Sequence, residues 1–532
     1  MVRRLQKLIR YNTGNVMVAL TAWNKKDIKT IVDSEKFDLD FYLVENPDVK
    51  QSGLDPIVHY VLYGWQENRN PNENFNTEIY YNLYKNVIGQ DENPFAHYIR
   101  NNENLYFFEK GLLQEYSYDS ISNALNRLKK YPFFSSDDYL RMNADISSAK
   151  MSPARHALLY GIGEGREIFS KRSIVSFLGK ECKHDIDYKI CKKDTSKALP
   201  KTVGVFYHSE GNSFIKELAE CLDEYLRNSG LNSRVMTEDT PEEDAPELCI
   251  FCAPHEFFFL SGNETWKKDE IIKRSIMFNT EQPQTLWFTR GIIYIMMSAG
   301  VMDLCYQNLK SFSDVGLNVF HFDPPVKMEA CELSAADKKH PLFRVLPQPA
   351  QKASSPFTPI NERSIDVSFF GNASRKREKF FSRAAAFLSD YQNFLYYRKA
   401  DGPIPSSGLY DILSRLPRYV SENSKISLNV HRDDNCFFEW HRIVKQGMAS
   451  GSIIVTEECF PHPLYKNGEH YLAETPRHMP NLIEWLTRTE DGQKEAARIQ
   501  KNIFEVLQNE DIFNSKNLDL KNYISSVWSN LK

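Results

Sequence analysis

The pattern of apolar positions divides the chain into a repeated helical motif and two stretches in which strands alternate with helices. The first alternating stretch carries apolar runs at 203–207, 248–253, 275–279 and 317–322, with an amphipathic helix over 214–229. The second carries runs at 365–370, 394–398, 426–430 and 453–456, with helices from about Glu378 and Phe438. Such alternation indicates parallel, doubly wound sheets, so we expect an α/β fold with two of them.

Three copies of one motif precede the first sheet. In each copy a Tyr lies five residues after a Phe, a Pro fourteen after that Tyr, and a His three after the Pro; the copies begin at Phe37, Phe75 and Phe134. Gly64 and Gly161 close the first and third copies. Pro opening and Gly closing an apolar helix are boundary signals, so each copy is predicted to be two short helices around a turn. The recurring histidines, His59, His97 and His156, are expected to pack inside their own copies rather than bind metal.

These patterns predict five segments. We expect an α-helical repeat domain over 1–170, a Lys-rich linker over 171–200 and an α/β domain over 201–335. A Pro-rich, extended connector is predicted over 336–362, followed by a second α/β domain over 363–532 that ends in helices.

Composition narrows the class of protein. At 532 residues the chain is too long for a single core. A net charge of −4 gives no global attraction for nucleic acid, so no nucleic-acid partner is expected. The longest apolar run, 291–302, is too short to span a bilayer, no secretory signal is recognised, and nine irregularly spaced cysteines suggest reduced thiols. We therefore expect a cytoplasmic protein. Residues 3–10 form a short basic amphipathic pattern that fits either peripheral contact with the inner membrane or a frayed terminus.

The stretch 425–471 carries the clearest candidate site. A strand is followed by a polar loop, 431–435, and then by a helix whose first turn holds Glu439, His441 and Arg442. Ligands of open α/β sheets lie beyond the carboxyl ends of the strands, and a helix N-terminus favours an anion. A guanidinium binds phosphate and a carboxylate accepts hydrogen bonds from sugar hydroxyls, so this pattern predicts a phosphorylated, hydroxyl-rich ligand.

A second phosphate-friendly pattern follows the first strand of the same predicted sheet. There a small-residue turn with three basic residues, Gly371 to Arg377, leads into a helix.

The stretch 425–471, with its small turn Ala449-Ser450-Gly451 and the phrase from Pro461 to Tyr471, resembles the nucleotide-binding half of GT-B glycosyltransferases, in the group-1 and spore-maturation-type branches. The resemblance implies a nucleotide-sugar donor bound on 365–505 and an acceptor on 201–335. Group-1 enzymes usually place a Glu on the ribose, where this chain has Gln446. Enzymes of this kind generally need no metal, so no cofactor is expected.

The resemblance also implies roles for individual residues. Glu439 and His431 would orient the donor sugar, and Arg442 would offset the charge of the leaving group. The acceptor half would supply any general base from the polar residues at the carboxyl ends of its strands, of which His208 and Glu281 are the chosen candidates. The full set is His208, Glu210, His255, Glu256, Asn279 and Glu281. The remaining donor-binding candidates are Gly371, Asn372, Arg375, Arg377, Arg432, Asn435, His441, Gln446, Glu457 and His462.

The leading hypothesis is a metal-independent glycosyltransferase that moves a sugar onto a glycan or lipid-linked acceptor. The repeats resemble modules beside bacterial polysaccharide glycosyltransferases, which implies a role in capsule, lipopolysaccharide or similar synthesis. Oligomerisation, glycan binding and docking to an assembly complex are all open roles for them. Two alternatives also stay open: an epimerase or phosphorylase on the same fold, and a catalytically inactive scaffold or glycan-binding protein.

Overall fold

The computed structural model divides the chain into two compact units, one of residues 1–121 with 136–168 and the other of 122–135 with 169–532. Residues 122–135 thus belong with the second unit, although the sequence placed them in a repeat domain over 1–170. The structure describes residues 22–72, 75, 77, 80–81, 88, 92–100, 116–148, 152–181, 198–324, 326, 328–351, 355–398, 412–432 and 442–532. The basic stretch 3–10 lies outside these residues.

The first unit consists of short helices. In copy one, helices cover Leu39–Glu45, Pro47–Ser52 and Pro56–His59, and the last continues as a π-helical turn, Tyr60–Gly64. Copy three has the helix Ser136–Met142, the 3₁₀ turn Ala144–Ser148 and the helix Pro153–His156, which continues as the π turn Ala157–Gly161. The other described helices here are Ala22–Ser34 and Pro94–Arg100. In copies one and three, the first helix ends where an Asn side chain donates to the backbone carbonyl of the repeated Tyr, at 2.8 Å from Asn46 and 3.0 Å from Asn143.

In copies one and three, which end in Gly, the repeated Tyr hydroxyl contacts both the repeated His and that Gly. The Tyr42 hydroxyl lies 3.0 Å from Nδ1 of His59, and Tyr139 lies 2.9 Å from His156. Copy two has the same pair, Tyr80 and His97, at 2.9 Å. As expected, each imidazole therefore bonds within its own copy. The hydroxyls of Tyr42 and Tyr139 occupy the space that a Cβ would need at Gly64 and Gly161, which explains why glycine closes both copies.

The Glu-x-Arg sequence after each of these glycines forms ion pairs and hydrogen bonds with residues near the start of the same copy. The Arg69 guanidinium bonds to Asp48 at 2.8 Å, to Glu67 at 2.6 Å and to the Asn46 side chain at 3.1 Å. Copy three contains the equivalent set, Arg166, Asp145, Glu164 and Asn143. A guanidinium can make several such bonds in one plane, so Arg fixes the end of the copy against its start.

The first sheet of the second unit is parallel and six-stranded, in the order β2-β1-β3-β4-β5-β6. Its strands are β1 Val203–Phe206, β2 Ser233–Met236, β3 Leu248–Cys252, β4 Ile276–Asn279, β5 Gly300–Asp303 and β6 Asn318–His321. The described helices that accompany it are Tyr118–Lys130, Lys171–Glu181, Ser213–Asn228, Pro254–Phe257, Asp269–Ile272, Leu286–Met297 and Asn308–Ser313.

The second sheet is parallel and five-stranded, in the order β11-β10-β9-β7-β8. Its strands are β7 Ile365–Asn372, β8 Asn393–Arg398, β9 Ser424–Asn429, β10 Ile453–Thr456 and β11 Leu472–Ala473. The described helices around it are Pro341–Arg344, Arg375–Leu388, Ile412–Asn423, Arg442–Ala449, Met479–Arg488, Glu490–Leu507 and Glu510–Leu531.

The C-terminal helix Glu510–Leu531 returns to the first sheet. Tyr523 stacks on Phe320 of β6 with ring centroids 5.3 Å apart, and the Ser229 hydroxyl donates to the carbonyl of Asn517 at 3.1 Å. Two doubly wound parallel sheets with a helix that crosses back to the first are the arrangement of a GT-B fold. The predicted α/β class is confirmed.

The sequence predicted no regular structure for the linker and the connector, yet the described parts of both contain helices. The expected linker begins with the helix Lys171–Glu181, because Ile174 and Leu178 are buried on one of its faces. The expected extended connector packs into an apolar cluster with the second sheet, in which Phe343 of the connector joins Phe370 of β7. None of the helices in the described part of the chain combines the length and apolar character needed to cross a bilayer.

Replacing Gly64 with alanine tests the packing of the repeat. The new methyl group would displace the Tyr42 hydroxyl, so we expect the free energy of unfolding to fall by about 1–3 kcal/mol, as in other overpacked cores. In the double variant Gly64→Ala/Tyr42→Phe, the obstructing hydroxyl is gone, and the loss should be smaller than the sum of the two single losses.

The matched control is Gly179→Ala, because a Cβ at this helical glycine would meet nothing within 4 Å. It should leave stability unchanged or raise it by up to about 1 kcal/mol. Equilibrium unfolding in urea measures the unmodified protein and the four variants, Gly64→Ala, Tyr42→Phe, the double variant and Gly179→Ala. Equal stabilities of the Gly64→Ala and Gly179→Ala proteins would contradict the packing described here.

Candidate functional site

Each sheet has one point at which the strand order reverses. In the first sheet β1 lies between β2 and β3, and in the second β7 lies between β8 and β9. At such a switch point the loops after the two central strands separate and leave a crevice for a ligand. The crevice of the first sheet is therefore bordered by the loops after β1 and β3, and that of the second by the loops after β7 and β9.

In the second sheet, Ser374 joins the two crevice loops. Its hydroxyl accepts from the backbone N–H of Arg377 at 3.2 Å and donates to the carbonyl of Arg432 at 2.8 Å. This cap starts the helix at Arg375, three residues before the predicted start at Glu378. Arg375 is thus an exposed residue of the first helical turn, and the N-terminus of the helix lies next to Arg432.

Arg377 supports the loops rather than presenting its charge to the crevice. It is buried, with Nε donating to the carbonyl of Val430 at 2.8 Å and Nη1 to that of Asn372 at 2.9 Å. A Cβ at Gly371 would lie 2.9 Å from Nη1, so Gly371 provides the space for this side chain. The sequence predicted Gly371, Asn372 and Arg377 as donor-binding residues; the structure shows them as the brace between β7 and β9.

Glu457 ties a third loop to the same place. One of its carboxylate oxygens accepts from the backbone N–H of the buried residue His431 at 2.7 Å, and the other pairs with Nζ of Lys376 at 2.6 Å. Predicted neighbours His431 and Glu457 are thus brought together. Because Glu457 is held by both partners, it fixes the loop conformation and keeps the Lys376 cation beside the crevice.

His462 and Gln446 lie away from these contacts. His462 is buried, its Nδ1 accepts from the N–H of Leu464 at 3.1 Å, and its ring stacks on Tyr465 at 4.6 Å. Burial holds the pKa of His462 well below its usual value, so the ring is neutral. Gln446 is half-buried in the helix Arg442–Ala449.

The side chains of four predicted site residues lie outside the described part of the structure. Glu439, Asn435 and His441 lie outside the described residues, and Arg442 is known here only as the first residue of the helix Arg442–Ala449.

In the first sheet, His208 has both ring nitrogens occupied. Nδ1 accepts from the N–H of Glu210 at 3.2 Å, so Nε2 carries the proton and donates to the carbonyl of Ser261 at 2.8 Å. The ring is buried after β1. Its position is structural, unlike the general-base role that the sequence suggested for it.

Glu281, after β4, has the properties of a proton acceptor. Burial raises the pKa of Glu281 from its ordinary 4.5 to about 7, although 27% of the side chain is still exposed. The Thr285 hydroxyl donates to it at 3.1 Å and lowers this pKa, the carboxylate of Glu256 raises it, and the Arg432 guanidinium lowers it. A carboxylate with a pKa near 7 is suited to general acid–base chemistry.

His255 and Glu256, which the sequence also placed at the carboxyl end of a strand facing the cleft, adjoin Glu281. Burial raises the pKa of Glu256 to about 7; this carboxylate accepts from the N–H of Asn212 at 2.8 Å and occupies the space that a Cβ would need at Gly211. His255 Nε2 lies 3.7 Å from Glu281, and burial, with the nearby Arg290, lowers the pKa of His255 to about 3.

The carboxyl ends of the two sheets face each other. Gln307, after β5, donates to the carbonyl of Pro461, after β10, and the rings of His321 and His462 lie 5.5 Å apart. Arg432 of the second sheet consequently lies close enough to influence Glu281 of the first. Among the described residues, no group of three or more His, Cys, Asp or Glu side chains is placed to hold a metal ion.

Comparisons with known proteins give only distant matches. No family model matches the chain, and no curated protein does. Among solved structures, HepE of Anabaena, crystallised with UDP-glucose, is 11% identical over 62% of this chain and 99% of its own, with a TM-score of 0.36.

Two further solved structures show similar values. The DNA-modifying β-glucosyltransferase is 11% identical over 61% of this chain and 99% of its own, with a TM-score of 0.36. An α-glucosyltransferase in complex with UDP and DNA is 9% identical over 60% and 99%, with a TM-score of 0.39. At TM-scores below 0.5 these likenesses carry no inference about the activity of this chain.

The raised pKa of Glu281 predicts how stability depends on pH. A carboxyl group whose pKa is higher in the folded than in the unfolded protein favours folding in its protonated form. This contribution is therefore lost as the pH rises from about 4.5 to about 7. Glu281→Gln removes this titration. As the pH increases from about 4.5 to about 7, the free energy of unfolding of the variant should therefore rise relative to that of the unmodified protein.

Urea unfolding of both proteins at pH 5 and pH 8 measures this difference. Glu210→Gln is the control, because Glu210 is an exposed carboxylate in the loop after β1. A difference between Glu281→Gln and the unmodified protein that does not change with pH would contradict the assignment.

Proposed function

We propose that this chain is a glycosyltransferase that binds a nucleotide-sugar at the switch point of the second sheet and its acceptor at the facing edge of the first. The observation that carries the proposal is the juxtaposition of Arg432 with Glu281. An exposed guanidinium at one switch point lies across from a carboxylate with a pKa of about 7 at the end of β4. Direct displacement by an acceptor hydroxyl uses both kinds of group, a cation for the departing phosphate and a base for the hydroxyl proton.

The second sheet supplies the positive charge. The N-terminus of the helix Arg375–Leu388, the Lys376 cation and Arg432 lie beside the loops after β7 and β9. Each favours a diphosphate, and all of them stabilise the additional charge on its oxygens as the bond to the sugar breaks. The braces formed by Arg377 and Glu457 hold these groups in position before a ligand arrives.

The first sheet supplies the base. In the proposed reaction an acceptor hydroxyl attacks the anomeric carbon of the donor sugar, and the nucleotide diphosphate departs with the bonding electron pair. Glu281 takes the proton from the hydroxyl. Because Arg432 lowers the pKa of Glu281, the same cation keeps a fraction of this carboxylate ionised near neutral pH.

Further details of the proposed function are supported by the sequence alone. We propose that Glu439, Arg442, Asn435, His441 and Gln446 add to the donor site, that the reaction needs no metal, and that the product is a bacterial surface glycan. Peripheral membrane contact through residues 3–10 and docking through the repeats belong to the same proposal.

A thermal-shift screen against nucleoside diphosphates and their sugars, with and without EDTA, tests the function. Binding to the folded state raises the melting temperature. We expect a shift with one nucleotide family that EDTA does not change and that Arg432→Ala abolishes. The control is Arg383→Ala, because Arg383 is exposed on the same helix as Lys376 but two turns further along.

Glu281→Gln separates binding from chemistry. It should keep the nucleotide shift and lose transfer, since the residue acts on the acceptor hydroxyl. No shift with any nucleotide, or equal shifts in the Arg432→Ala and Arg383→Ala proteins, would contradict the proposal and favour a scaffold protein.

A further inference from the structure

In copies one and three of the repeat, one tyrosine stays exposed beside the repeated histidine. Tyr63 is 44% exposed and Tyr160 is 37% exposed, whereas the Phe and the Tyr that begin each copy are buried. The ring of Tyr63 lies 5.8 Å from that of His59, and the ring of Tyr160 lies 5.6 Å from that of His156. Both copies therefore present the same aromatic pair.

Both pairs have polar atoms left for a partner. The Nδ1 atom of each imidazole bonds to the repeated Tyr of its own copy. In the part of the chain that the structure describes, no hydrogen bond is made by Nε2 of either imidazole or by the hydroxyl of Tyr63 or Tyr160. Burial lowers the pKa of His59 and of His156, so both rings are neutral near pH 7. A neutral imidazole offers a donor or an acceptor at Nε2.

Most other residues that copies one and three share make contacts that hold the copy together. They include the buried Phe, the Tyr–His–Gly contact, the Asn at the helix end, the Pro at the helix start and the Arg with its two carboxylates. The exposed tyrosine is shared as well, yet the imidazole is the one ring that it contacts among the described residues. The packing of the copy therefore does not explain why this tyrosine recurs.

Both tyrosines also lie in a π-helical turn, Tyr60–Gly64 in copy one and Ala157–Gly161 in copy three. A backbone N–H at each turn donates to the carbonyl five residues earlier, at 3.1 Å in copy one and 3.0 Å in copy three. Such turns are rare and are often found at functional sites. Exposure and backbone geometry thus mark the same position in both copies.

The charges near each pair disfavour an anionic ligand. The charged groups that influence the pKa of His59 are the Arg69 guanidinium and the carboxylates of Glu67 and Asp48. Copy three has the equivalent three groups around His156. One guanidinium and two carboxylates give each copy a local net negative charge, which repels phosphate and nucleic acid. An uncharged ligand fits these surroundings better.

A pyranose ring has the chemistry that the two pairs lack. Its C–H groups form an apolar face that stacks on an aromatic ring, and the hydroxyls around this face bond to polar atoms at the edge of the ring. A glycan built of recurring sugars offers the same ring to both copies.

We propose that Tyr63 with His59, and Tyr160 with His156, form two equivalent binding sites for the sugar rings of a neutral glycan. In each site the sugar stacks on the tyrosine, and its hydroxyls bond to the phenol hydroxyl and to Nε2 of the imidazole. A glycan that reaches both sites is held more tightly than one that reaches a single site. Both sites belong to the first unit and the proposed donor and acceptor sites to the second, so this proposal does not depend on the proposed function.

Equilibrium dialysis of the full chain with labelled cellotriose, maltotriose, mannotriose and chitotriose tests the proposal. We expect at least one of these trisaccharides to bind with a capacity of two per chain. Tyr63→Ala and Tyr160→Ala should each lower this capacity to one, and the double variant should bind none. Tyr63→Phe, which keeps the ring, should retain both sites. The control Val44→Ala, at an apolar residue of copy one that is 72% exposed, should also retain both.

The double variant Tyr63→Ala/Tyr160→Ala should keep the melting temperature and the nucleotide shift of the unmodified protein, which separates this proposal from the proposed function. Absence of binding by all four trisaccharides, or a capacity that the double variant leaves unchanged, would overturn the proposal. A changed sedimentation coefficient of the double variant with unchanged sugar binding would overturn it as well, and would indicate that these tyrosines lie between copies of the chain.

Discussion

The arrangement of the two sheets depends on one buried carboxylate, that of Asp323. This residue follows the last strand of the first sheet, and its partners come from elsewhere: Lys445 from the second sheet and Lys516 from the returning helix. The two lysines hold the pKa of Asp323 well below its usual value. An ionised carboxylate is expensive to bury unless it is paired, so all three elements must meet for any of them to be stable there.

That constraint gives the site its form. With the sheets held in this relation, their carboxyl ends face each other, and the loops of the two switch points supply complementary chemistry. The second sheet presents helix N–H groups, Lys376 and Arg432, whereas the first presents Glu281 and Glu256. Contacts between the loops do much of the positioning: Arg377 joins the end of β7 to the loop after β9, Ser374 joins the helix cap to Arg432, and Glu457 holds His431 and Lys376.

The sequence predicted those elements whose signal is local. Strands such as β10 are buried along their whole length, so each forms an apolar run in the sequence. The Pro and Gly residues that begin and end the repeat helices are also visible in the sequence alone. The strands that escaped prediction lack this signal. β2 has an exposed and a half-buried residue between two buried ones, and β11 is only two residues long. β5 follows the almost wholly buried helix Leu286–Met297, so that helix and β5 form one continuous apolar run.

Individual site residues were harder to predict because their roles depend on distant partners. A basic residue at the start of a helix suggests a phosphate ligand. The Arg377 guanidinium instead donates to backbone carbonyls of β7 and of the loop after β9. His208 likewise has its partners at Glu210 and Ser261. Conversely, the pKa values of Glu256 and Glu281 follow from burial that only the assembled fold creates.

Hydrogen exchange of backbone amides with and without a bound nucleoside diphosphate tests the central claim most directly, because it locates the donor on the chain. We expect added protection in peptides covering 371–377 and 430–432, at the switch point of the second sheet, and little change at 207–212. Protection confined to 207–212 and 253–257 would place the nucleotide on the first sheet and contradict a donor site on the second.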